Sequence, residues 1–159
     1  MCSMTPIAAG LFSVLILTLS AAPVWAQGKS AFNGTWKMDP ARSDLKRGPA
    51  PVSRLDRISI DGVNMKDTIT QNLRGNEATY DMIYTIDGKE CTNHVRGNLT
   101  TATAHWEGDE LVIDSLVHTF RQAKIVDRYS VSSDGRTMTL HRHMTGAVDA
   151  DQTLIFDKQ

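Results

Sequence analysis

The sequence predicts an all-β chain: an antiparallel up-and-down meander of about eight to nine strands, closed into a small barrel behind an N-terminal signal peptide. Three observations carry this. From Leu55 onward, short segments alternate apolar and polar residues with a period of two. Turn-forming pairs divide them at intervals of roughly 9 to 14 residues. No stretch after the leader shows a helical stripe of three turns or more. A sheet of that many strands would expose two unpaired edges, and closure removes them.

The leader comes first. Ile7 to Ala22 (IAAGLFSVLILTLSAA) is apolar and small and runs into Val24-Trp25-Ala26, where small residues precede Gln27 as a signal peptidase requires. Met1 to Pro6 lacks the usual basic residues, and the first is Lys29. The expectation is a signal peptide over 1–26, a single domain over 27–159, and an exported protein, periplasmic or extracellular. Removing 26 of 159 residues leaves 133, enough for one core. Cys2 leaves with the leader, so Cys91 has no intramolecular partner and reads as an inert filler. The formal net charge of −1 argues against a nucleic-acid partner, which needs a clustered positive field, and no stable membrane insertion is expected after cleavage.

The strands follow in order. Gly34 to Met38 opens the meander. Asp39 to Ser53 contains Pro40, Pro49 and Pro51, which remove donors and restrict their predecessors, so one helical turn around Ala41 to Leu45 is the most it can form. Turns are then expected at Asp61-Gly62, Gly75-Asn76, Asp87-Gly88, Gly97-Asn98, Gly108-Asp109, Asp134-Gly135 and Gly146, with one long pair of strands spanning Leu111 to Ser133. Tyr80, Met82, Tyr84 and Ile86 share one strand face. Met138, Leu140 and Met144 share another, opposite Thr137, Thr139, His141 and His143. Thr153 to Asp157 closes the set.

Phe32-Asn33-Gly34-Thr35-Trp36 resembles the Gly-x-Trp first strand of the calycins, the lipocalins and fatty-acid-binding proteins. Trp106-Glu107-Gly108-Asp109-Glu110-Leu111-Val112 is similar to a Trp-x-Gly-x-x-Leu hairpin of the fatty-acid-binding proteins, as are Arg128-Tyr129, Ser133-Asp134-Gly135 and the closing Phe156-Asp157-Lys158. The GTWK start and DGRTMTL hairpin also resemble those of a family of small exported bacterial proteins. The resemblance implies a lipocalin-like barrel that holds a small, largely apolar ligand. Two departures stand beside it: 39–53 cannot supply the helix-turn-helix lid of fatty-acid-binding proteins, and Leu154-Ile155-Phe156 occupies the place of their carboxylate-binding Arg-x-Tyr.

The function expected is therefore binding of a small apolar molecule inside the barrel without catalysis, with Arg128 and Tyr84 as polar anchors and Tyr80, Met82, Met138 and Leu140 as wall. Arg128 has a plainer reading, an exposed arginine paired with a neighbouring carboxylate. No nucleophile elbow, zinc-protease helix or phosphate loop is present, so no catalytic residue and no cofactor is assigned. His141 and His143 lie about 7 Å apart on one strand face; only convergence with His105 or His118 would make a metal site of them. The alternative function is a packed barrel in the cell envelope that meets a protein partner, since about eight strands can be filled by side chains alone.

Overall fold

The computed structural model describes residues 29–45 and 48–159; the expected signal peptide over 1–26 lies outside the described residues. Ten strands follow one another: β1 Gly34–Met38, β2 Ser53–Asp61, β3 Asn64–Leu73, β4 Asn76–Thr85, β5 Glu90–Val95, β6 Asn98–Glu107, β7 Glu110–His118, β8 Ala123–Val131, β9 Thr137–Gly146 and β10 Ala150–Lys158. They form one antiparallel sheet in the order β4-β3-β2-β1-β10-β9-β8-β7-β6-β5. The meander is as expected, with ten strands in place of eight to nine. The link at 119–122 reads Thr-Phe-Arg-Gln and carries none of the residues that mark the other turns, so it gives no signal in the sequence.

Pairing of β1 with β10 curls the sheet into a nearly closed barrel, and the remaining seam lies between β4 and β5. No ladder crosses that seam. The Asn93 side chain does so instead: its amide donates to the Ile83 carbonyl at 3.0 Å and accepts from the Ile83 N–H at 2.8 Å. A side-chain amide thus stands in for a strand's backbone pair, which satisfies groups that an edge would leave bare.

Two hairpins turn one residue earlier than the sequence suggests. Leu73 pairs with Asn76 and Val95 with Asn98, so the central pairs are Arg74-Gly75 and Arg96-Gly97. Arg74 and Arg96 take φ of 54° and 50°, the left-handed region in which arginine is uncommon. Gly146 is bound to its residue type by close approach as well: at φ 96°, an added Cβ would lie 2.4 Å from the Gln122 carbonyl oxygen.

The proline-bearing segment forms a hydrogen-bonded turn rather than a helical one. Asp39 Oδ1 accepts from the N–H groups of Ala41 and Arg42. The chain then returns to β10, where Asp44 and Thr153 exchange both backbone bonds. No helix covers the barrel mouth among the described residues of 39–52; Pro49 and Pro51 lie there.

Alternation places the core. Trp36, Met38, Ile58, Met65, Leu111, Met138, Leu140, Leu154 and Phe156 fill one half of the barrel, nearly all fully buried. Phe32, just before β1, plugs that end. Its ring meets Trp106 edge-on at 5.3 Å, and its carbonyl accepts from the Trp36 indole at 2.7 Å.

Candidate functional site

The other half of the barrel is hollow. A cavity of about 230 Å³ opens towards the end where β3–β4, β5–β6 and β9–β10 turn. Its apolar wall is Ile69, Leu73, Met82, Val95, Val117, Ile125 and Met144, with Tyr80, Tyr84 and Tyr129 among them. Into this wall are set Arg54, Thr100, Ser115, Asp127 and Arg142, with Gln71 and Arg96 nearer the rim. An apolar cleft with a few convergent polar groups has the make-up of a small-molecule site.

Two buried ion pairs shape its electrostatics. Arg54 lies on β2 two residues before Asp56, on the same face, and grips it through Nε and Nη2 at 2.7 and 2.8 Å; both side chains are almost wholly excluded from water. Arg142 on β9 holds Asp127, its register partner on β8, at 2.8 and 2.7 Å. Burial opposes the charge on Arg142, but the Asp127 carboxylate outweighs it and raises the guanidinium above its ordinary value; Asp56 acts likewise on Arg54. Burial also pushes the Tyr84 and Tyr129 phenols up, so both stay neutral hydroxyls.

Asp67 on β3 is the third inward carboxyl. It is 2% exposed, and its Oδ1 has no hydrogen-bond partner. Burial, and then the Asp56 charge, raises it well above the ordinary 3.8. The folded state therefore keeps this proton after the unfolded chain has lost it. Stability from this group is fully present below pH 3.8 and falls as pH rises from there through the folded-state value. Asp67→Asn has no proton to lose. Its stability relative to wild type should grow from pH 4 upward by about 1.4 kcal/mol per pH unit, until the folded-state value is reached. Urea midpoints at pH 5 and pH 8 measure this; an unchanged difference between the two would contradict an Asp67 carboxyl raised by burial.

The expected site residues divide. Tyr80, Met82 and Tyr84 line the cavity. Met138 and Leu140 face inward but lie in the packed half, both with no exposed surface. Arg128 is corrected: it alternates with Asp127 and Tyr129 onto the outer face, where its Nη1 bonds Glu107 and Glu110 and its side chain stays 41% exposed. The arginines inside the cavity are Arg54 and Arg142, with Arg96 at its rim, and none of the three was expected as a site residue. The signal was parity, since residue 142 falls on the Met138, Leu140 and Met144 face and residue 54 on the Ile58 face.

The histidines stay apart. His141 bonds Thr153 and His143 bonds Asp151 on the outer face, His105 reaches Glu107, and His118 reaches Thr101. Among the described residues no three potential ligands gather for a metal. Cys91 is half-buried at the seam, 3.6 Å from the Thr85 hydroxyl.

No protein-family model matches the chain, and no curated protein matches it in sequence. Solved structures do match in shape. A secretory abundant heat soluble protein from Ramazzottius varieornatus superposes with a TM-score of 0.60 at 14% identity, over 81% of this chain and 96% of that one. Lipid binding protein 8 from Caenorhabditis elegans gives 0.60 at 12% identity, over 82% and 96%. Fatty-acid-binding protein 1 from Echinococcus granulosus gives 0.54 at 11%, over 81% and 98%. With ten antiparallel strands in meander order, a nearly closed barrel and these neighbours, the chain has the calycin-like fold of the fatty-acid-binding proteins.

Proposed function

We propose that this protein is an exported carrier that holds a small, largely apolar molecule in the hollow half of its barrel, by burial and without chemistry. The observation that carries the reading is the division of the interior: one half packed solid, the other an apolar-walled cavity with buried polar groups set into it. A barrel of this kind needs no hollow half for stability, since side chains can fill it. Two of its neighbours in shape are named for fatty-acid or lipid binding, which supports the same reading. Export rests on the apolar leader ending at Ala26. At about 230 Å³ the cavity lies below the ~300–1,000 Å³ usual for ligand pockets, which suits a medium-chain or compact molecule rather than a long lipid.

The test is a titration with N-phenyl-1-naphthylamine, an uncharged dye whose emission rises in apolar surroundings. Wild type should bind it saturably. Ser115 faces the cavity from β7, opposite Ile125. Ser115→Trp should fill the space and weaken binding at least ~10-fold, about 1.4 kcal/mol, while the far-ultraviolet circular dichroism stays that of the wild type. Equal dye binding by the two proteins would place the dye elsewhere and contradict the reading.

A further inference from the structure

Resting on the ligand-binding reading above, the geometry points to an uncharged ligand: an apolar molecule whose polar end is an amide, ester, ketone or hydroxyl, and not a carboxylate or an amine. The cavity contains arginine, which would ordinarily suggest an anion. Here the two guanidiniums inside the cavity are already neutralised, and Arg96 lies exposed at the rim, where it donates to the Gln71 and Asn76 carbonyls. Arg142 is matched by Asp127 through two parallel bonds and Arg54 by Asp56 through two more, so neither presents net charge to the cavity. The two inward guanidiniums are matched one for one by the carboxylates of Asp56 and Asp127. A carboxylate buried in this half of the barrel would be desolvated without an unmatched counter-charge beside it, which is costly.

The hydrogen-bonding capacity that remains suits a neutral group. A guanidinium has five N–H donors, and the bidentate grip on Asp127 uses two of those on Arg142. The others can donate to a carbonyl or hydroxyl oxygen without requiring its charge. Thr100, 2% exposed and lining the cavity, has a hydroxyl with no hydrogen-bond partner. A buried hydroxyl left unpaired is unfavourable, and a ligand polar group beside it would complete the bond. An ammonium head fares no better than a carboxylate, because Asp56 and Asp127 are both engaged and burial favours the neutral form of the Asp67 carboxyl.

Displacement of N-phenyl-1-naphthylamine by decanamide, decanoate and decylamine at pH 7.4 tests this, the first two being near-isosteric and different in charge. Decanamide should displace the dye from wild type at least ~10-fold more effectively than either charged compound. In Asp127→Asn the Arg142 charge is unmatched, and decanoate should gain at least ~10-fold relative to decanamide. Decanoate or decylamine equalling decanamide on wild type would overturn the inference and leave the carrier reading intact; this comparison stands even if the variant does not fold. Dye that fails to bind wild type at all would remove the carrier reading itself.

Discussion

Asp56→Ala should lower the stability of the folded protein by about 3–5 kcal/mol, because it leaves the Arg54 guanidinium buried and unmatched. Arg54 is 3% exposed and Asp56 0%, and the pair makes two short bonds that account for both carboxylate oxygens. The Arg54 guanidinium also lies 5.6 Å from the centre of the Phe156 ring, an apolar neighbour that cannot replace the lost carboxylate. Single domains have only about 5–15 kcal/mol in total, so the loss is a large share. The double variant Arg54→Met/Asp56→Leu removes both charges together and should recover most of it. Urea denaturation of the three proteins measures the cycle. A loss under about 1 kcal/mol for Asp56→Ala would mean that Arg54 reaches solvent.

Trp36→Ala should cost a similar ~3–5 kcal/mol, for a different reason. Trp36 is wholly buried in the packed half, and its indole N–H is the donor that holds the Phe32 carbonyl. Truncation leaves a void that the surrounding strands cannot close, since Trp36 sits between β2 and β10 in fixed register with Asp56 and Lys158. It also unties the plug at that end. Trp36→Phe keeps most of the volume but loses the indole bond, so its loss should be well under that of Trp36→Ala. Equal losses for the two would mean that the hydrogen bond to Phe32, and not packing, governs this end of the barrel.

The strand faces were legible in the sequence because period-two alternation fixes them wherever one face is apolar. Tyr80, Met82, Tyr84 and Ile86 lie inward for that reason. The Asp-Gly turns were legible because glycine supplies the positive φ that tight hairpins need. The turn at 119–122 was not, since none of its four residues has a conformational preference that marks it. The polar half of the cavity was hidden by a sound general rule, that charged residues point outward. Arg142 interrupts an apolar face, and its partner Asp127 is fifteen residues away, joined only by the register of β8 on β9. Arg54-Leu55-Asp56 was readable in principle as an ion pair along one face, but nothing in the local pattern says that the face is buried there. Arg128 drew attention through its place beside Tyr129, yet one step along a strand reverses the side it faces. The division of the barrel into a packed and a hollow half depends on side-chain volumes summed over all ten strands, which no single segment carries.

The most direct test of the carrier reading is native mass spectrometry of the protein isolated from the cells that make it, set against its denatured mass. Wild type should carry a reproducible extra mass that is lost on denaturation and is reduced or absent in Ser115→Trp. A bare mass, with no uptake of decanamide or N-phenyl-1-naphthylamine on incubation, would contradict it.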